Sequence, residues 1–236
     1  MPSSDQNILY QVLEMGAGTG KMTQELVRKL PAATKYLAVD ISKNFLSVLE
    51  SKALGVEIIE ASADNIPLPD NSVQVVVCAQ SFHWFSDMPC LKSIYRVLVP
   101  GGLLVLIWNR KCFEEGWMQP FLKQRYEVMA KVGAAQKYLY QSGEWRHCIS
   151  DCDLFHLDKH YDLPGVDFSG PLEKILSNLT TVSVYKSFSP QEREAYVEKL
   201  RNVLIHWPGL DLNNIKMPFK TDLYIYTAQN MVASEK

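Results

Sequence analysis

Short apolar runs alternate with segments whose apolar positions recur every three or four residues through the first half of the chain. Tyr10–Met15, Lys35–Asp40, Val56–Ala61, Val73–Ala79 and Leu103–Trp108 read as five strands. The intervening pattern predicts helices over Thr19–Lys29, from about Lys43 to Ala53 and over Pro89–Leu98, with "VPGG" turning the chain into the fifth strand. Strand and helix in alternation, with strands too apolar to show one wet face, predict an α/β chain whose mostly parallel sheet is doubly wound and covered on both faces. Past Trp108 the pattern changes. Helices are expected over Met118–Val132, Trp145–Phe155 and Pro190–His206, and edge strands near His156–Tyr161 and Asp222–Thr227. No repeat or low-complexity linker interrupts the sequence, so one domain is expected, with residues 10–109 as a core and residues 110–236 as a divergent half built around the site.

Doubly wound sheets bind ligands beyond the carboxyl ends of their strands, so the residues at which strands stop carry the functional information. The first strand runs into Glu14-Met15-Gly16-Ala17-Gly18-Thr19-Gly20. A triphosphate-binding loop needs a glycine five positions before Gly20 and a hydroxyl after Lys21, but Met15 and Met22 stand there. The dinucleotide fingerprint needs a third glycine where Lys21 stands. What remains is an acid followed by glycines at every second position, a turn whose missing side chains let a ligand lie against the backbone. The second strand ends at Asp40, twenty positions after Gly20, where an acid can accept both hydroxyls of a ribose. After the third strand, "ASADNIPLPDNSV" offers Asp64 to an adenine amino group and Ala63 and Ile66 as apolar ring contacts, and the fourth runs into "AQSFHWF". Taken alone, Asp40 or Asp64 is more readily a solvated cap; the combination at successive strand ends points to a nucleoside-bearing ligand.

Composition narrows the partners. With 47% hydrophobic and 21% charged residues, the sequence is that of an ordinary globular chain. A net charge of -2 provides no broad phosphate-neutralising surface, so nucleic acid is not an expected partner. No apolar run reaches the length of a membrane span and "MPSSDQNILY" lacks the charged and apolar regions of a leader, so a cytoplasmic location is expected and no membrane. Five scattered cysteines read as reduced thiols rather than a disulfide framework.

These motifs carry a resemblance. "VLEMGAGTGKMT", "AVDIS", "ASADNIPLPDNSVQVVVCAQSFHWF" and "YRVLVPGGLLVLIWN", in that order and spacing, resemble the class I S-adenosylmethionine-dependent methyltransferases over Tyr10 to Asn109. Glu14 stands where that family more usually has Asp. Gln80 to Phe85 and, more weakly, Asp167 to Gln229 are similar to a narrower branch, the trans-aconitate-methyltransferase-like small-molecule enzymes. The resemblance implies a Rossmann-like sheet with an antiparallel edge strand, and S-adenosyl-L-methionine as cofactor with S-adenosyl-L-homocysteine as product. It also implies a cofactor site of Glu14, Gly16, Ala17, Gly18, Asp40, Ile41, Ala63, Asp64 and Gln80, with Gly16 and Gly18 against the methionine moiety and Gln80 at the mouth. The acceptor is expected to be a small molecule bearing a carboxylate or a hydroxyl. An ionised carboxylate needs no general base; a hydroxyl or amine does, and His83 is the nearest candidate for that catalytic role, against the alternative of a histidine packed in an aromatic cluster.

Two further features complete the reading. His147, Cys148, Cys152 and His156 have a helical spacing that can suit zinc, but no C-x-x-C pair accompanies them and no metal is expected. Only nine residues precede Tyr10, too few for the helical lid that related enzymes fold over the cofactor, so the cleft is expected either to stay open or to be covered by Lys111–Tyr140.

Overall fold

A computed structural model of the chain describes residues 8–112, 116–120, 140–180 and 188–230. Its main element is a seven-stranded, mostly parallel sheet with an antiparallel edge strand. In chain order the elements are β1 (Tyr10–Met15), α1 (Lys21–Val27), β2 (Tyr36–Asp40), α2 (Lys43–Glu50), β3 (Glu57–Glu60), β4 (Val73–Ala79), α3 (Met88–Val97) and β5 (Leu98–Lys111). They continue as α4 (Glu144–Ser150), β6 (Phe155–Pro164), β7 (Phe168–Gly170), α5 (Leu172–Leu179), α6 (Pro190–Ile205), β8 (Ile215–Met217) and β9 (Phe219–Ala228). The strand order is β3-β2-β1-β4-β5-β9-β6.

β1, at the centre of the parallel strands, pairs with β2 through Leu13 and Leu37 and with β4 through Leu13 and Val76. All five residues of β2 are buried, as a strand covered on both faces requires. The order reverses between β1 and β4, which opens a crevice at their carboxyl ends. Local chemistry sets the helix starts: Ser42 caps α2 by accepting from Phe45 N–H, and Asp87 caps α3 by accepting from Cys90 N–H with Pro89 in its first turn. Ser189 and Glu192 form a reciprocal capping box on α6.

The chain divides into two compact units. The first comprises Met1–Trp108, Lys137–Tyr161 and Asp222–Lys236, and the second comprises Asn109–Gln136 and Asp162–Thr221. The second has its own apolar core, in which Ile175, Leu176 and Leu179 of α5 and Leu200 and Leu204 of α6 are buried together with Ile215 and Met217. Among the described residues no helix is long and apolar enough to cross a membrane.

Three expectations are corrected. The helix expected over Trp145–Phe155 ends at Ser150, and Phe155 already opens β6. The strand expected at an edge near Asp222 lies between β5 and β6 as β9, which leaves β6 as the edge. β7, β8 and α5 are not among the expected elements; the two strands are three residues each and, among the described residues, pair with one another, too short to leave a periodic signal. The expected helix Met118–Val132 and most of the Lys111–Tyr140 cover fall outside the described residues.

Candidate active site

The glycine turn is held from below. Gly16 and Ala17 donate their N–H groups to Val39 O at 2.8 and 3.0 Å, Gly18 N–H goes to Asp40 Oδ2 at 2.8 Å, and Gly20 N–H goes to Ala17 O. Four amides of the turn, those of Gly16, Ala17, Gly18 and Gly20, are therefore committed to the protein rather than aimed at a ligand. What the turn presents instead is room. A Cβ on Gly16 would lie 2.5 Å from Ser81 Cβ, whereas a Cβ on Gly18 would meet nothing within 4 Å. Both residues hold a positive φ, 74° and 57°, which side-chain-bearing residues adopt only with strain.

Glu14 lies beneath the turn at 1% exposure. Its Oε2 accepts from Thr23 Oγ1 and from Tyr36 Oη, each at 2.6 Å, which ties β1 to α1 and β2. Burial pushes its pKa up, and the two hydroxyl donors pull in the opposite direction. The Glu14 carboxylate thus braces the strand end from which the turn departs. Glu14→Gln keeps the shape but loses the charge-assisted part of both bonds, so a loss of about 1–2 kcal/mol in unfolding free energy is expected by urea denaturation. An unchanged midpoint would count against the anchoring role.

At the end of β2, Asp40 is buried, with Oδ2 on Gly18 N–H and Oδ1 on Ser42 N–H at 2.8 Å. Next to it Ile41 is 72% exposed, a large apolar side chain left in the open beside a strand end. After β3, Ala63 is buried in the core while Asp64 is exposed and accepts from Ser62 Oγ. Ile66, expected as a ring contact, is instead 1% exposed and packed into the main core, with its N–H on Ser93 Oγ. At the end of β4, Gln80 is exposed and has φ 58°, a left-handed conformation that a non-glycine residue keeps only where its surroundings impose it. Its N–H donates to Ile107 O at 2.8 Å, and next to it Ser81 Oγ donates to Met15 O at 2.7 Å while its Cβ packs on Gly16. Thr23, Tyr36 and Ser81 were missed from sequence because hydroxyls carry no motif; their roles depend on strand register.

His83 sits in the short 3-10 turn Phe82–Trp84 and is 9% exposed. Trp108, at the carboxyl end of β5, donates its indole N–H to His83 Nδ1 at 3.1 Å. An indole nitrogen only donates, so Nδ1 must carry the lone pair and the neutral ring carries its proton on Nε2. Trp108 itself packs at a tilt against Trp145, 4.3 Å between ring centroids, and against Tyr140, 4.9 Å. Burial lowers the His83 pKa from the usual value to about 4. The unfolded chain then binds a proton that the folded chain refuses between pH 6.5 and 4, so this residue's contribution to stability falls as pH drops through that window. Between pH 7 and 5 the loss is about 2 kcal/mol; His83→Asn should not show it, so the stability difference between wild type and His83→Asn should change by that amount from pH 7 to pH 5.

The zinc-spaced residues do not assemble. Cys152 is buried and donates from Sγ to Ile149 O, His156 lies on β6, and among the described residues no group of three His, Cys, Asp or Glu side chains is placed to hold a metal ion.

Comparison with known proteins places this arrangement. The family described as "Methyltransferase domain" matches residues 13–106. An uncharacterised methyltransferase of Mycobacterium tuberculosis is 38% identical over 213 residues, covering 89% of this chain and 80% of that protein. A methyltransferase-like protein of Schizosaccharomyces pombe is 43% identical over 112 residues, 48% of this chain, which spans only 43% of that relative's length. Among solved structures, a putative type II methyltransferase from Anaeromyxobacter dehalogenans superimposes with a TM-score of 0.67 at 17% identity, covering 93% of this chain and 89% of that one. The chain belongs to the class I S-adenosylmethionine-dependent methyltransferases.

Proposed function

We propose that this chain binds S-adenosyl-L-methionine across the ends of β1, β2 and β4 and transfers its methyl group to a small-molecule acceptor whose nucleophile is already ionised, a carboxylate being the simplest case. The observation that carries the reading is the glycine turn, in which the amides of Gly16, Ala17, Gly18 and Gly20 are bonded within the protein while Gly18 faces open space. Such a turn accommodates the close approach of an uncharged or cationic chain and offers little to a pyrophosphate. Ile41, exposed beside Asp40, provides an apolar contact for an adenine, with Ala63 and Asp64 beyond it, and the Asp40 oxygens have lone pairs remaining for ribose hydroxyls.

When bound, the cofactor supplies an electrophilic methyl on a good neutral leaving group. The protein's part is alignment and exclusion of water, and orientation alone is worth about 7–11 kcal/mol. His83 fits a positioning role better than that of a base: its lone pair is occupied by Trp108 and its Nε2–H is a donor suited to an acceptor oxygen. A carboxylate acceptor agrees with the resemblance of Gln80–Phe85 to the trans-aconitate-methyltransferase-like branch.

Calorimetry with S-adenosylhomocysteine and NAD side by side tests the cofactor, heat being expected with the first alone. Transfer of labelled methyl to carboxylate, hydroxyl and amine acceptors then tests the chemistry. With a carboxylate, kcat/KM should show no inflection between pH 5.5 and 8 attributable to His83, because about 4 lies below that window. A base-catalysed reaction would instead decline on the acid side near the ordinary histidine value. NAD heat without S-adenosylhomocysteine heat would sink the assignment.

A further inference from the structure

Asp222, on β9, is only 3% exposed, and a carboxylate so placed costs free energy unless its oxygens are held. Tyr140, in the short 3-10 turn Tyr140–Ser142, donates its hydroxyl to Asp222 Oδ2, and His160 Nε2 stands 3.6 Å from Oδ1. The His160 ring is in turn stacked on Tyr224, 4.0 Å between centroids. An apolar pair at positions 140 and 222 could fill the same space. What the acid and the phenol add is direction, because a charge-assisted bond fixes where the Tyr140 ring sits.

From Asp222 an unbroken series of contacts leads to His83. The Tyr140 ring, tied to Asp222 through its hydroxyl, lies 4.9 Å from the Trp108 ring, and the Tyr140 backbone carbonyl accepts from Trp145 Nε1 at 3.1 Å. Trp108 is 1% exposed and packs on its other neighbour, Trp145, at 4.3 Å. Its indole N–H holds His83 Nδ1 at 3.1 Å. In a close-packed interior a ring held between two others reorients only when one of them moves. The bond that sets the His83 tautomer thus depends on where Tyr140 holds Trp108, and Tyr140 depends on Asp222.

We propose that Asp222 is a positioning residue for His83, acting through Tyr140 and Trp108: it steadies the aromatic stack that keeps the His83 Nε2–H available to the methyl acceptor. The use of that N–H by an acceptor rests on the methyl-transfer reading; the relay from Asp222 to the His83 ring does not. Two effects of removing Asp222 have opposite signs. Loss of its charge alone disfavours a nearby imidazolium and lowers the His83 pKa, whereas loosening of the aromatic cover admits water and raises it from about 4 toward 6.5.

Imidazole nitrogen NMR of the full chain reads both the tautomer and the titration midpoint with no ligand present, the His83 signal being the one missing from His83→Asn. Wild type should show the neutral ring protonated at Nε2. Asp222→Ala should mix the tautomers and raise the midpoint by about one pH unit or more, a gain of about tenfold in proton affinity. Asp222→Asn, whose carbonyl oxygen still accepts from Tyr140, should restore the Nε2–H form and show no rise. Tyr140→Phe keeps the ring and loses only the hydroxyl, so it should shift the midpoint upward as Asp222→Ala does, and it decides the matter if Asp222→Ala does not fold. A midpoint that stays or falls in either of these two variants overturns the proposal, as does a rise in Asp222→Asn equal to that in Asp222→Ala. Calorimetry of wild type with S-adenosylhomocysteine decides the cofactor assignment separately, so the failure of one reading is not mistaken for failure of the other.

Discussion

Replacing Gly18 with valine is expected to remove the stabilisation of the fold by S-adenosylhomocysteine, about 2.7 kcal/mol at a hundred times the dissociation constant, while leaving a folded protein. Two effects act together at this position. Its φ of 57° is strained for a branched side chain by about 1–2 kcal/mol, and the new methyl groups would occupy the open space above Gly18. An added Cβ there meets no atom within 4 Å, so the folded protein should tolerate the change. Gly16 gives the internal control. Alanine there would press on Ser81 Cβ from 2.5 Å, and Ser81 cannot yield without giving up its bond to Met15 O. Gly16→Ala should therefore lower the thermal midpoint of the ligand-free protein, whereas Gly18→Val should lower chiefly the ligand-induced shift. A full ligand shift in Gly18→Val would place the cofactor elsewhere.

The contrast between two glycines in one turn shows what sequence can and cannot deliver. β1 and β4 end where the apolar runs end, at Met15 and Ala79, because a central strand is bounded by the first residue that cannot be buried. The turn was visible as glycines at alternate positions, but which glycine serves packing and which serves a ligand depends on Ser81, sixty-six positions from Met15 in sequence and hydrogen-bonded to it in the fold. His83 makes the same point more sharply. Its candidacy as a base came from residue type and place; its tautomer comes from Trp108, brought to it by the pairing of β4 with β5. Glu14 enters the expected cofactor site through the resemblance and its place before the glycines, whereas Thr23 and Tyr36, which engage it, lie on two different elements. Sequence shows which residues gather at the strand ends, and register decides what each one touches.

Asp40→Ala should have an effect on both binding and stability, and the two can be separated. Asp40 accepts from Gly18 N–H with one oxygen and from Ser42 N–H with the other, so its loss leaves two backbone donors beside the turn without their partner. If Asp40 also receives the ribose hydroxyls, the dissociation constant for S-adenosylhomocysteine rises by ten- to a hundredfold, from the roughly 1.5–3 kcal/mol of hydrogen bonds to a charged group. Asp40→Asn divides these contributions. Its carbonyl oxygen can keep one of the two N–H bonds, but its amide nitrogen cannot accept the other, and the charge that strengthens every bond at the site is gone. Stability should then recover in part while affinity stays low. Equal recovery of both in Asp40→Asn would mean that the carboxylate matters only as a brace for the turn, and the ribose contact would have to be sought on another strand end. Recovery of the fold alone, with calorimetric affinity still down by tenfold or more, would establish that the same two oxygens shape the turn and recognise what it holds.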